Sequence, residues 1–302
     1  MAKTIVTGGA GFIGSNLVDA LVERGDEVVV IDNLSGGTKE NINTEADFHQ
    51  IDICDLEAIR PLFKDADLCF HLAAKPRVQF SIENPQETHN VNVTGTLNIL
   101  EASREAGLSR VVFSSSSSIY GDQDIMPIVE TMEANPKSPY GLHKYIGERY
   151  ARVWSEVYSL QTVSLRYFNV YGPRQSAEGA YALVIAKFLE QVKQGQKMTI
   201  TGDGEQTRDF THIRDVVKAN LFSAESDKVG SGEAINIGAG NNVSINKIAE
   251  LIGGEIEYIP PRFEPKNTLA DNQRARDLLG WEPQVSIEDG IKELKEMEGL
   301  SS

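Results

Sequence analysis

Thr7-Gly8-Gly9-Ala10-Gly11-Phe12-Ile13-Gly14 follows a short β-branched run, Thr4 to Val6, and leads into apolar residues at helical spacing: Phe12, Ile13, Leu17, Val18, Leu21 and Val22. Strand, glycine turn, helix is the context that gives a glycine fingerprint physical meaning. Gly8 suits the tight turn that ends the strand, Gly11 lets backbone approach a pyrophosphate, and Gly14 lets the helix pack close to the sheet. The helix N-terminus, with Phe12 and Ile13 in its first turn, offers unpaired N–H groups and a partial positive charge to phosphate. The spacing is G-x-x-G-x-x-G rather than G-x-G-x-x-G, and taken alone it also fits a βα turn that binds nothing.

The next strand separates these readings. Glu27-Val28-Val29-Val30-Ile31 is a continuous apolar run, as expected of a strand buried on both faces. It ends at Asp32-Asn33, with the acid 18 residues after Gly14. A carboxylate there accepts hydrogen bonds from adenosine ribose hydroxyls and repels a 2′-phosphate. No Arg or Lys lies in Asn33 to Gly37, so the expected dinucleotide is NAD(H) rather than NADP(H).

Ala46 to Ile51 reads as a third strand ending at Asp52-Ile53. Asp52 is placed to bond an adenine amino group, or alternatively to cap a helix near residues 55–63. Asp67 to Leu72 reads as a fourth strand, followed by Ala73-Ala74, small enough for a cofactor to cross. A helix over Val91 to Ala106 and a fifth strand from Arg110 to Phe113 complete a β-α-β-α-β-α-β-α-β order. That order predicts an α/β fold with a doubly wound parallel sheet of Rossmann type and a crevice at the strands' carboxyl ends. The expected organisation is a cofactor-binding domain over residues 1–168, with about 211–239 returning to it. A smaller α/β lobe over most of 169–302 would take the substrate.

The fifth strand runs into Ser114-Ser115-Ser116-Ser117-Ser118-Ile119-Tyr120-Gly121. Five serines could form a flexible loop, but they continue a buried strand where active-site groups of open α/β sheets gather. Pro139-Tyr140-Gly141-Leu142-His143-Lys144 then opens a helix reaching Tyr158, and Tyr140 and Lys144 share one face of it. A free tyrosine has a pKa of about 10, so about one in a thousand is ionised at pH 7. A base for a sugar hydroxyl needs a lower value. A neighbouring ammonium and a positive nicotinamide ring both favour phenolate, and bringing the phenol from about 10 to about 7 requires about 4 kcal/mol of such interaction. A lone Y-x-x-x-K also fits a surface contact; behind a glycine fingerprint and a strand-end serine it points to proton transfer beside a nicotinamide.

The net charge of −15 argues against nucleic-acid and anionic-membrane partners. No apolar run approaches the ~20 residues of a membrane-spanning helix. Met1-Ala2-Lys3 leads directly into the first strand, so no signal peptide is expected. Cys54 and Cys69 form no C-x-x-C and are expected as buried free thiols, which fits a reducing cytoplasm. The five histidines lack metal-ligand spacing, so no metal is expected.

The sequence resembles the extended short-chain dehydrogenase/reductases, and among them the nucleotide-sugar 4-epimerases of the UDP-galactose/UDP-N-acetylhexosamine type. The resemblance covers essentially the whole chain. It is carried by TGGAGFIG (7–14), Asp32, DI (52–53), HLAA (71–74), SIENP (81–85), NVTGT (92–96), SSSSSIYG (114–121), SPYGLHK (138–144), LRYFNVYGPRQ (165–175) and GDGEQTRDF (202–210). It implies Ser116, Tyr140 and Lys144 as catalytic residues, with Tyr140 the base and Lys144 its partner and a ribose ligand. Gly8, Gly11, Phe12, Ile13, Gly14, Asp32, Asn33, Asp52, Ile53, Leu72, Ala73, Ala74, Asn92, Ser114 and Tyr167 join Tyr140 and Lys144 around NAD. The chain departs from the family near Lys75-Pro76-Arg77, so no second phosphate-side lysine is assigned. Sugar dehydratases carry an Asp-Glu pair, and decarboxylating relatives a Glu, where this chain has Ser117-Ser118; without those acids epimerisation remains.

In the second half, Arg166 to Tyr171 reads as a sixth strand and Ala234 to Ile237 as one returning to the first domain. Val243–Leu251, Glu255–Tyr258 and Gln273–Leu279 read as helix, strand and helix of the smaller lobe. The resemblance places Asn169 near the pyrophosphate, the backbone near Leu183 at the uracil, and Arg208 and Arg262 on phosphate, where guanidinium forks suit the geometry. It makes Thr268 a control on pocket width, with space for an N-acetyl group. The expected substrate is a UDP-sugar, epimerised at C4 through a 4-keto intermediate. The rivals are a UDP-glucuronate 4-epimerase and a catalytically silent NAD-binding sensor or scaffold. Family members commonly form homodimers through helices equivalent to 96–106 and 140–158, where Leu142, Tyr145, Ile146, Val153 and Trp154 would supply the apolar face.

Overall fold

The computed structural model describes residues 2–177, 183–261 and 266–300. The chain begins β1 (Lys3–Thr7), α1 (Phe12–Arg24), β2 (Glu27–Ile31), β3 (Asp47–His49), α2 (Leu56–Ile59) and β4 (Leu68–His71). It continues with α3 (Val78–Glu83), α4 (Pro85–His89), α5 (Thr96–Ala106), β5 (Arg110–Ser116), α6 (Pro139–Tyr158) and β6 (Gln161–Tyr167). Next come β7 (Val170–Tyr171), α7 (Val184–Lys193), β8 (Met198–Thr201), β9 (Thr207–Asp209), β10 (Thr211–His212), α8 (Ile213–Glu225) and β11 (Ser231–Ile237). The last elements are β12 (Asn242–Ser244), α9 (Ile245–Ile252), β13 (Ile256–Ile259), α10 (Gln273–Leu279) and α11 (Ile287–Met297).

Seven parallel strands form the main sheet in the order β11-β6-β5-β4-β1-β2-β3. Successive strand residues point to opposite faces, and both faces are apolar. Val6, Val30 and Val112 join Leu17 of α1 and Val216 of α8 in one core, whereas Ile5, Val29 and Val111 join Leu100 of α5 and Trp154 of α6 in another. The strand order reverses between β1 and β4, where open α/β sheets leave a ligand crevice. A third core, with Tyr171, Phe188, Met198, Phe210, Ile248 and Ile291, sits in the second half of the chain.

Several elements depart from the expected bounds. The sixth strand is Gln161–Tyr167 rather than Arg166–Tyr171. Strand-favouring aromatic and β-branched residues continue to Tyr171, but Phe168 turns into a cluster with Tyr120, Ile128 and Ala270, and Val170–Tyr171 pair with Thr211–His212 instead. The helix expected from Val91 opens with a wide π turn over Asn90–Gly95. Gln273–Leu279 packs against α8 and β11, contributing Ala275 and Leu279 to the sheet core. Trp154 is buried against the sheet and is unavailable to an outer face, while Leu142 and Val153 are exposed. Cys69 is buried as expected, but Cys54 is exposed on the loop after β3. Beyond the serine run, Ile128 donates its N–H to Leu269 O at 2.7 Å and accepts from Asp271 N at 2.9 Å, bridging the loop after Tyr120 to the segment containing Thr268. No helix among the described residues is long and apolar enough to cross a membrane.

Candidate active site

The glycine turn is shaped by close approach. Gly8 has φ +73, and its N–H donates to Ile31 O at 2.8 Å. A Cβ on Gly8 would lie 2.7 Å from Ala73 N, and one on Gly14 only 2.1 Å from the Gly8 carbonyl oxygen. Gly11, at the N-cap of α1, supplies no side-chain cap, and a Cβ there would meet only Gly8 O, at 3.2 Å. The free N–H groups of α1 therefore open onto the crevice, a cradle that fits a pyrophosphate. Phe12 and Ile13 pack back against the sheet core.

Asp32 is almost wholly buried. Its Oδ2 accepts from Ala10 N at 3.0 Å and its Oδ1 from Leu34 N at 2.7 Å. Burial pushes its carboxyl up, and these two bonds oppose that shift. Each oxygen keeps a lone pair for a ribose hydroxyl. Asn33 Nδ2 donates to Asp52 Oδ2 at 2.9 Å, and Cys54 N donates to Asp52 Oδ1 at 2.8 Å. Burial resists ionisation of Asp52, but these bonds prevail and hold its carboxyl low. The helix cap considered for Asp52 is made by Asp55, which accepts from Ala58 N at 3.1 Å. Ile53 is turned into the core against Gly95.

The crevice wall is tied together by a chain of bonds that no local sequence pattern announces. Ala73 N donates to Thr7 Oγ1 at 3.2 Å, and Thr7 Oγ1 meets His71 Nδ1 at 2.7 Å. His71 Nε2 meets Thr96 Oγ1 at 2.9 Å, and Thr96 Oγ1 donates to Asn92 O at 2.8 Å. Because the Thr96 proton goes to a carbonyl, His71 must carry its proton on Nε2 and accept from Thr7 on Nδ1. Burial, reinforced by Lys144, pushes its pKa down to about 3, so the ring is neutral. Asn92, within the π turn, clamps the backbone of Lys75: its Oδ1 accepts from Lys75 N at 2.8 Å and its Nδ2 donates to Lys75 O at 3.1 Å. Leu72 N donates to Thr7 O at 3.1 Å, so Leu72, Ala73 and Ala74 line the seam between β1 and β4.

At the end of β5 the serines divide. Ser115 donates to Glu148 Oε1 at 2.5 Å, and Arg166 grips the same carboxylate from Nε at 2.9 Å and Nη2 at 2.8 Å. Ser114 hydrogen-bonds the Tyr167 hydroxyl, which donates to Asn220 Oδ1 at 2.9 Å. Ser116 Oγ accepts from Ser118 N at 3.2 Å and Ser118 Oγ at 2.9 Å. Tyr140 and Lys144 are both buried on α6. Lys144 Nζ donates to Ser114 O at 2.7 Å and lies 6.0 Å from the centre of the Tyr140 ring.

This geometry changes the expected electrostatics. Burial pushes the Tyr140 phenol up, and its hydrogen bond with Ser116 is what pulls it back. Burial also drives Lys144 down to about 7, with Glu148 restoring part of its charge. Lys144 points at a carbonyl rather than at the phenol oxygen, so the protein's own lysine does not by itself ionise Tyr140.

A second cavity, of about 250 Å³, is lined by Asn169, Leu183, Lys187, Phe188, Arg208 and Phe210 among others. Arg208 is buried there and braced through Nη1 on Thr207 O at 2.9 Å. Thr268 Oγ1 donates to Asn169 Oδ1 at 3.4 Å and accepts from Asp209 N at 3.3 Å, so the structure brings Thr268 against the cavity wall. Arg262 lies outside the described residues. Lys187, Phe188 and Phe210 were not singled out from the sequence; nothing in their local pattern distinguishes them from the lobe's core. His71 lies in the HLAA run, but that run does not show which threonines its ring meets.

A model of the NAD dependent epimerase/dehydratase family matches residues 4–238. The UDP-glucose 4-epimerase of Mycolicibacterium smegmatis is 40% identical over 96% of this chain and 96% of its own. The crystal structure of UDP-glucose 4-epimerase with UDP-glucose from Thermotoga maritima superposes with a TM-score of 0.92 at 40% identity, covering 96% of each chain. The UDP-glucuronate 4-epimerase of Thermodesulfobacterium geofontis is 36% identical over 97% of this chain and 94% of its own. A matched family that spans most of the sequence, and relatives that share its length and its fold, lead to one conclusion: the chain belongs to the NAD dependent epimerase/dehydratase family.

Proposed function

We propose that this enzyme inverts C4 of a UDP-hexose, interconverting UDP-galactose and UDP-glucose and also accepting the N-acetylated pair. The observation that carries the reading is the meeting of Ser116, Tyr140 and Lys144 beside the crevice, with the hydroxyls of Ser117 and Ser118 where an eliminating relative needs acids. NAD⁺, held by the glycine turn and Asp32, would supply a reversible hydride acceptor for C4 and a positive ring that favours the Tyr140 phenolate. Tyr140 takes the proton of the sugar 4-hydroxyl as the C4 hydrogen departs. Ser116 donates to the oxygen on which charge gathers. Arg208 and Asn169 hold the pyrophosphate in the second cavity while the flat 4-keto sugar turns its other face, and Tyr140 then returns its proton. Lys144 binds the ribose and holds the Ser114 carbonyl.

Thr268 supports the N-acetylated substrates, because a small side chain against Asn169 leaves room that an aromatic one would fill. The glucuronate reading is kept because a relative 36% identical carries that activity; it requires a donor for the C6 carboxylate. Residues 1–168 with 211–239 form the NAD-binding unit in this proposal, supported by the pairing of β11 with β6, and the remainder of 169–302 binds the sugar nucleotide. Two copies pair through α5 and α6, where Leu142 and Val153 stand exposed.

Incubation of the purified protein with UDP-galactose, UDP-N-acetylgalactosamine or UDP-galacturonate, followed by separation of the products, tests the substrate. Conversion of the first two and not the third is expected; conversion of the galacturonate alone would transfer the assignment to the uronic acid. Tyr140→Phe is expected to lower turnover by at least about a thousandfold while NAD stays bound. Retained turnover would remove Tyr140 as the base.

A further inference from the structure

Ser118 has no part in the reaction as described, yet both of its donors converge on one atom. Its N–H and its Oγ–H are given to Ser116 Oγ, at 3.2 and 2.9 Å. The first bond is an ordinary serine turn, in which a side-chain oxygen accepts from the backbone two residues on. The second is not required by such a turn. Ser118 is only partly buried, and its hydroxyl could have faced water. A serine oxygen has two lone pairs and one proton. With both lone pairs taken, Ser116 has only its proton to offer, and its hydroxyl neighbours the Tyr140 oxygen.

The surroundings hold this arrangement in place. The short 3₁₀ turn over Ser117–Ile119 is closed by Tyr120 N donating to Ser117 O at 3.1 Å and braced by Asn135 N donating to Ile119 O at 3.0 Å. The first turn of α6 rests directly on it: a Cβ on Gly141 would come within 2.6 Å of the Ser118 carbonyl oxygen. Gly141 follows Tyr140, so Ser118, Ser116 and the phenol belong to one packed unit.

We infer that Ser118 is a positioning residue that fixes Ser116 as a donor only, so that the sugar proton passes directly to Tyr140 and not through Ser116. This rests on the reading of Tyr140 as base. The O–H bond of the 4-hydroxyl breaks as an O–H bond forms on the Tyr140 oxygen, and the C4–H electron pair leaves as hydride to NAD⁺. Ser116 keeps its own proton throughout, donating it first to the phenolate and then to the ketone oxygen. A relay through Ser116 would need a free lone pair on its oxygen, which the Ser118 hydroxyl occupies.

The test uses the NAD-bound enzyme with UDP-galactose under single-turnover conditions. Ser118→Ala keeps the backbone bond and deletes the hydroxyl; Ser118→Thr keeps both. Ser118→Ala is expected to slow epimerisation about tenfold, the effect of losing one hydrogen bond near a charge. It should also move the acid limb of the pH profile up by about one pH unit, leave KM within about twofold, and be rescued by Ser118→Thr. In wild type the rate in mixed H₂O and D₂O should fall linearly with deuterium fraction, as for one proton in flight. A bowed wild-type dependence would overturn the inference whether or not Ser118→Ala folds. So would Ser118→Ala with unchanged rate and pH limb, or with a loss confined to thermal stability. Tyr140→Phe run alongside separates the two levels. If that variant is dead and Ser118→Ala is silent, only the inference fails; if Tyr140→Phe turns over, the underlying reading fails.

Discussion

His71 is a neutral imidazole whose two nitrogens join the β1–β4 seam to the π turn that carries Asn92. An unfolded histidine titrates near about 6.5, whereas burial holds this one down to about 3. Between those values the unfolded chain binds the extra proton, so stability is full above about pH 6.5 and falls as the pH drops through the window. Urea midpoints measured from about pH 7.5 to about pH 4.5 should show that loss, and His71→Gln should flatten the slope while lowering stability at the upper end by about 1–3 kcal/mol. Gly14 gives a sharper case. With its missing Cβ only 2.1 Å from Gly8 O, Gly14→Ala should cost about 3 kcal/mol or more and yield protein with little NAD, read from its absorbance after denaturation. Gly14 was legible because a fixed spacing in a strand-turn-helix context has one mechanical use. The role of His71 was not, because its partners lie 64 and 25 residues away, and no local pattern says which threonines it meets.

At the scale of elements, α6 carries Tyr140, the proposed base, on its first turn, where backbone N–H groups lack partners inside the helix. Ser138 caps Gly141 N at 3.1 Å, and the N–H of Tyr140 itself is taken by Ser81 Oγ of α3 at 3.0 Å. Ser81 in turn donates to Val78 O at 2.6 Å and is fully buried. Ser81→Ala should therefore leave a buried donor unpaired, costing about 1–3 kcal/mol in thermal unfolding, and should lower kcat more than it raises KM because the phenol loses its fixed seat. Unchanged melting and kcat would remove Ser81 from this role. The bounds of α6 were readable from its proline start and apolar spacing. Those of β6 were not: Arg166 to Tyr171 is rich in the aromatic and β-branched residues that strands favour, and only the tertiary pocket for Phe168 ends the pairing at Tyr167. The π turn was equally hidden, since an extra residue in a helical turn leaves the surrounding apolar spacing nearly intact.

For the whole molecule, the doubly wound order followed from the alternation of strands and helices, because parallel strands need a crossover and crossovers have one hand. The return of β11 beside β6 was legible from its apolar run, whereas the docking of α10 on the sheet core was not, since an amphipathic helix does not declare which core it covers. The same limit applied to Trp154, whose position on α6 suited an outer face until the sheet was in place beneath it. The proposed pairing of two copies through α6 should be abolished by Val153→Glu, with light scattering reporting half the wild-type mass and NAD content unchanged; a wild-type mass equal to one chain would remove the pairing itself. The bridge between Ile128 and residues 269–271 has a consequence for how such an enzyme changes over time. The strip containing Thr268, proposed to set the width of the sugar pocket, is laced to the loop that leaves the serine turn, so neither can be transplanted alone. A lineage, or an engineer, that exchanges residues 266–271 alone would break their pairing with Ile128 and disturb the loop behind the serine turn until residues 126–130 are exchanged with them.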